Sequence, residues 1–306
     1  MLLNGVLPPE AYDYYEDIGK YQIKNSYDEL QFSKGKINYE RLCKRLATLQ
    51  LPNPKVFLYQ NLSIEELKTY IEDILNKIFN NKYSSEINNY CNIIRKYNVE
   101  NPFDATLEES YSEESLVPKK IFVSNLLSSI EIVSTSHEFI HALLSKYSLS
   151  NYDAHLCNIH YKELLSIIIE YIVCYEISNS FKEDDLELKH KIIRLDHNQQ
   201  QISERNDAIQ LAHQLRDERL KLYSEYVNHN SYGYIISDIY ANRLLDLYKE
   251  DPKTLIDIIA NIIDGDKNIK DLIQYYNLSL TDKPTIYGYN DKIEETLSKS
   301  LKFTKK

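Results

Sequence analysis

Hydrophobic positions recur along this chain mostly at helical spacing. From Ile64 to Phe79, Leu67, Ile71, Ile74, Leu75 and Ile78 fall at i, i+4, i+7, i+8 and i+11, the stripe of an amphipathic helix. Ser63 stands three residues before Glu66 as a capping box. A second helix is expected over 84–97, carrying Ile87, Tyr90, Cys91 and Ile94. Residues 100–118 break the pattern with Asn101-Pro102, Asp104, Glu108, Glu109, Glu113, Glu114 and Pro118, and read as an acidic loop. That stretch sets an expected boundary, with an N-terminal helical part over 1–118 and a second part over 119–306. Lys120 to Asn125, rich in β-branched and aromatic residues, is the best strand signal. Helices are then expected over 129–146 and 162–178. The second is apolar nearly all round (Leu164, Leu165, Ile167, Ile168, Ile169, Ile172, Val173) and must be buried. Residues 183–228 read as helical but highly charged, followed by shorter helices over 234–249, 252–264 and 267–276.

Composition narrows the classes. With 306 residues, 43% hydrophobic and 27% charged, the chain supports a packed core and a solvated surface. Six glycines and eight prolines are too few for collagen or a turn-rich all-β protein. A net charge of −10 disfavours a general nucleic-acid binder, which needs a basic face to displace counterions. Cys43, Cys91, Cys157 and Cys174 form no CxxC pair and read as reduced thiols. Met1 to Gly5 lacks the basic start of a signal peptide, and no stretch of 18 apolar residues occurs. The expectation is a cytoplasmic protein without a membrane partner. Abundant Lys, Tyr, Asn and Ile fit an AT-rich bacterial genome.

All eight histidines lie between 137 and 229. The cluster opens with His137-Glu138-Phe139-Ile140-His141, which matches H-E-x-x-H. On a helix, residues four apart share a face, so two imidazoles can bind one Zn²⁺ at about 2.0–2.1 Å. Glu138, about 100° round the helix, reaches the water such an ion activates and serves as general base. For this composition the motif is expected by chance roughly 0.02 times per chain. A third ligand is needed. His155 and His160 are near but fall in an expected loop. Glu163 and Glu170 are two turns apart on one face of a helix otherwise too apolar to tolerate charge, and a buried carboxylate must be paired or bind metal.

The run Ile121-Phe122-Val123-Ser124-Asn125, Ser128 to Val133, Thr135 and His137 to Leu143 resembles the oligopeptidase F and thimet oligopeptidase family of zinc peptidases. That family continues with Glu-x-x-Ser-x-x-x-Glu, here Glu163-Leu164-Leu165-Ser166-Ile167-Ile168-Ile169-Glu170. The resemblance covers roughly 119–285. It implies a mainly α, zincin-like helical metallopeptidase with a small β element before the metal-binding helix. It implies one Zn²⁺ per chain on His137, His141 and Glu163, with Glu170 as the supporting neighbour. It also implies a peptide substrate paired along Ile121–Asn125. His229, Tyr234 and Tyr240, in the segment from His229-Asn230-Ser231-Tyr232-Gly233-Tyr234 to Tyr240-Ala241, match the family's His and tyrosines at the substrate carbonyl. The chain departs from the family at Ile140, where it has Gly, at Leu144, where it has His, and in being about half its usual length. The reading is zinc-dependent peptide hydrolysis, of oligopeptides or of one dedicated peptide. The other class left open is a metallopeptidase-like module that binds a peptide or protein without turning it over.

Overall fold

The computed structural model of the chain describes residues 39–53, 62–96, 105–111, 116–124, 127–145, 163–181, 185–215, 218–281 and 283–303. It is mainly helical. After a helical segment at 39–46 come α1 (Ile64–Ile78), α2 (Ser84–Ile93), β1 (Ile94–Lys96), β2 (Thr106–Tyr111), β3 (Leu116–Val123), α3 (Ser129–Ser145), α4 (Leu164–Phe181), α5 (Leu186–Leu215), α6 (Glu218–Glu250), α7 (Pro252–Ile263), α8 (Ile269–Tyr275) and α9 (Lys283–Phe303).

α1 forms where its stripe predicts. Ser63 accepts from the Glu66 N–H and Glu66 reaches back to Ser63, closing the capping box, while Leu67, Ile71, Ile74, Leu75 and Ile78 are buried. α4 is the apolar axis of the molecule. Its residues 164–174 are buried without interruption, because α3, α5 and α6 pack around it and no face is left for water. α5 and α6 form a long hairpin, with Asn198 bonded to Asp238 and Ser231 bonded to Gln201. One buried cluster runs from Tyr39 through α1–α4 to Ile293 on α9.

The sheet has three strands in the order β1-β3-β2. β1 runs parallel to β3 and pairs Ile94 with Ile121. β2 runs antiparallel to β3 and pairs Leu107 with Ile121. The β2–β3 ladder slips between Glu108 and Glu109, where Glu109 faces Pro118. Proline has no N–H to give the ladder, and a bulge absorbs the gap.

Four expectations change. Residues 106–111 and 116–118, read as acidic loop, are strand. The expected boundary at 118/119 falls inside β3, whose partner strands precede it. The second helix ends at Ile93, and 94–96 is strand. Residues 218–228 and the helix expected over 234–249 belong to the single helix α6, which runs unbroken through His229 to Tyr234.

Candidate metal centre

α3 is apolar at Phe139, Ile140, Ala142 and Leu143, all fully buried. That face locks the helix against its neighbours and leaves His137, Glu138 and His141 half-buried on the other side. Ile140, where the resembling family has Gly, packs in the core and displaces neither histidine. Tyr90 on α2 fixes the helix further, donating to the Ala142 carbonyl at 3.0 Å and meeting Phe139 edge-on. Glu163 lies at the start of α4, 3% exposed, and its carbonyl accepts the first helical bond, from Ile167.

The three side chains converge. His137 Nε2 and His141 Nε2 are 2.9 Å apart. Glu163 Oε2 lies 3.0 Å from His141 Nε2 and 3.2 Å from His137 Nε2. Ligand atoms on a tetrahedral ion with bonds of about 2.0–2.2 Å stand about 3.4 Å apart, so this triangle opens onto an ion with shifts of a few tenths of an ångström. His137, His141 and Glu163 could hold a metal ion.

Glu170 sits two turns on along α4. Its Oε1 accepts from His137 Nδ1 at 2.5 Å, and its Oε2 accepts from His190 Nε2 at 2.7 Å. A carboxylate accepting at Nδ1 fixes the tautomer and turns the Nε2 lone pair of His137 to the cluster. The field there favours positive charge. Burial pulls His137 down, but Glu163 and Glu170 override it and raise the imidazole to about 10. Burial draws Glu138 upward from the ordinary carboxylate range against the pull of His137 and His141. Glu170 goes the other way. Although burial raises it, Arg194 and the two histidines hold it well below that range.

A cleft of about 970 Å³ opens beside the cluster. His137, Glu138 and Glu170 form part of its lining, with His190, Arg194 and His197 of α5 and Tyr234 of α6. Another wall is the segment Leu49–Asn53, tied to α5 by Gln199, which donates to the Leu46 and Leu49 carbonyls at 2.7 and 2.8 Å. Ala105, just before β2, completes that side.

The predicted site is therefore brought together in large part. His137, Glu138, His141, Glu163 and Glu170 meet, and Tyr234 joins them across the cleft. Tyr240 does not line the cleft; it is 2% exposed in the core of α6. The side chain of His229, with Asn125, His155 and His160, lies outside the described residues. The substrate strand is corrected. β3 is the middle strand: β1 pairs with Ile121, Phe122 and Val123, and β2 pairs with Ile121 and Phe122. Ser124 just beyond is buried. A peptide cannot add along Ile121 and Phe122; among the described residues the strand edge beside the cleft belongs to β2.

Sequence reasoning missed His190, Arg194 and His197. Their signal was present, since i, i+4 and i+7 share one helix face, but it was hidden in a helix charged throughout.

No protein-family model, curated protein or solved structure matches the chain, so the function rests on this geometry and the motif.

Proposed function

We propose that the chain is a metal-dependent hydrolase, with His137, His141 and Glu163 holding one ion in the cleft wall. More particularly, we propose a zinc peptidase. The observation that carries the reading is the convergence of two imidazole nitrogens and one buried carboxylate oxygen within 3.2 Å of one another, beside Glu138 and an open cleft. Two histidines with one glutamate form a familiar catalytic zinc donor set that leaves a position free. Charge supports it: Glu163 and Glu170 are buried beside the two histidines, and uncompensated charge in a buried region is costly.

A zinc ion held there would supply a Lewis acid that polarises the scissile carbonyl and brings the attacking water's pKa towards about 7. The chain's own groups do the rest. Glu138 takes the proton of the attacking water as its oxygen bonds to the carbonyl carbon. The same group returns that proton to the amine nitrogen as the C–N bond breaks. Tyr234, across the cleft, offers a hydroxyl to the carbonyl oxygen as it gains negative charge. Glu170 keeps the His137 ring in register. An extended substrate lies against the β2 edge, which starts at the cleft.

The test is metal content with one substitution. The purified chain, reconstituted with zinc, is expected to hold about one ion per chain and to hydrolyse peptides from a broad library. Glu138→Gln is expected to keep the ion and the fold while losing at least about 10²–10⁴-fold in rate, the usual worth of a general base. A chain that takes up no zinc, or a Glu138→Gln variant as active as wild type, would end the proposal. Zinc uptake with peptide binding but no hydrolysis would favour the binding-module reading.

A further inference from the structure

We infer that His190 on α5 is a positioning residue for the metal centre, holding the Glu170 carboxylate in the setting that keeps His137 Nε2 turned to His141 and Glu163. The role rests on the metal-site reading above and adds a residue that neither the H-E-x-x-H motif nor its third ligand calls for. His190 Nε2 donates to Glu170 Oε2 at 2.7 Å, while Glu170 Oε1 accepts from His137 Nδ1 at 2.5 Å. One carboxylate thus bridges two imidazoles, with one oxygen for each. Two fixed points set the plane of the carboxylate, and the carboxylate sets the His137 ring.

The second anchor is needed because Glu170 has a competing partner. Arg194, one turn further along α5, brings Nη1 to 3.8 Å from Oε1, the same oxygen that His137 uses. That distance is beyond a hydrogen bond, but a guanidinium is a strong draw for a carboxylate. With Oε2 held by His190, a rotation that carried Oε1 onto Arg194 would break two hydrogen bonds. Without His190 the same rotation breaks one, and it leaves the His137 Nδ1–H without its partner.

His190 is built around that single bond. It is 3% exposed, and its ring meets Tyr171 edge-on with centroids 4.7 Å apart. Tyr171 is itself fixed, since its hydroxyl donates to Asp238 Oδ1 at 2.7 Å and accepts from Asn242 at 2.8 Å. The other imidazole nitrogen, Nδ1, is buried with no hydrogen-bond partner among the described residues. A buried polar atom left unpaired destabilises a fold, and a phenylalanine ring would pack against Tyr171 without one. What offsets that cost is the charge-assisted bond from Nε2 to Glu170.

The experiment measures the zinc affinity of the full-length chain by competition with a chelator. His190→Phe keeps a ring against Tyr171 but loses the donor, and should bind zinc about tenfold more weakly than wild type, the lower end of the range for a supporting contact. His190→Gln places an amide N–H₂ near the former Nε2 and should recover most of the lost affinity. In a Glu170→Met background, which has no acceptor, His190→Phe should cost nothing further, because the contact it breaks is already gone. A merely structural His190 would show the same loss in both backgrounds and no rescue by Gln. Should His190→Phe fail to fold, as read by its thermal melt, His190→Asn replaces it with the same expectations, being polar but too short to reach Glu170. Wild-type affinity in the variant that lacks the donor, a Gln variant as weak as that one, or an equal loss in the Glu170→Met background overturns the role. Zinc uptake by wild type with no effect at position 190 overturns the role of His190 alone; no zinc uptake by wild type overturns the metal site itself, and the role with it.

Discussion

α4 and α5 both supply the cleft, and they could hardly be less alike. α4 is apolar on every side, so Glu163 and Glu170 are conspicuous. Neither would be tolerated there without a partner, and each has one in the histidines of α3. α5 is charged along most of its length, so His190, Arg194 and His197 look like any solvated face. An apolar helix displays its chemistry because every polar atom on it must be accounted for. A polar helix conceals its chemistry because water explains most of its residues. On α4 Glu163 and Glu170 are bonded to partners, whereas on α5 Arg194 and His197 keep buried nitrogens without one among the described residues.

Substitutions break that contrast in order of size. Glu163→Gln should remove a direct ligand and lower zinc affinity well beyond the roughly 100-fold upper range of a supporting contact, as read by competition with a chelator. Asp238→Asn comes next. Asp238 is 1% exposed and accepts from Tyr171, Asn198 and Tyr289 while facing Arg194. Removing its charge leaves a buried cation short of a partner, at a cost of about 3–5 kcal/mol, visible as a large fall in Tm. Glu170→Gln should weaken zinc binding by about 10–100-fold without abolishing it; if it loses more metal than Glu163→Gln, the ligand assignment is reversed.

The smallest effect concerns pH. Glu131 is buried at the start of α3, where its Oε2 accepts from Ser128 N and Oγ. Burial outweighs those hydrogen bonds and pushes it up to about 8. A carboxyl raised on folding contributes stability that is full below its unfolded value near 4.5 and lost as pH rises towards about 8. Glu131→Gln, which never ionises but buries an extra N–H₂, should stabilise the fold relative to wild type at pH 8 by on the order of 1 kcal/mol, seen as a higher Tm. That gain should vanish by pH 5, and thermal melts across the range check both sign and window.

Much of this was legible in the sequence where one physical demand acted alone. The capping box at Ser63, the stripe of α1, the buried α4 and the H-E-x-x-H face of α3 each follow from periodicity or burial. The failures occurred where tertiary context overrides local pattern. β1 is three residues, Ile94-Arg95-Lys96, too short to show alternation, and is strand because β3 lies beside it. β2 carries Glu108 and Glu109 and β3 carries Pro118, loop signals that a bulged ladder accommodates. Gly233 costs a helix about 1 kcal/mol against Ala, but the buried Tyr232, Ile235 and Ile236 around it carry α6 through. The role of Arg194 depends on which helices face α5, and no local pattern encodes that.

The tie from Gln199 to the Leu46 and Leu49 carbonyls has a temporal consequence. It joins residues 153 and 150 positions apart, and Arg45 reaches further still, to Asn290, 245 positions away. Contacts of such separation are slow to form, because a long loop must close before they are rewarded. Tyr39, Leu42 and Leu46, all buried in the finished protein, emerge early in synthesis and wait for α5. The wall at Leu49–Asn53 is thus among the last parts of the cleft to be put in place. The metal ligands, within 26 residues of one another from His137 to Glu163 and carried by helices that pack directly together, can assemble well before the cleft around them is complete.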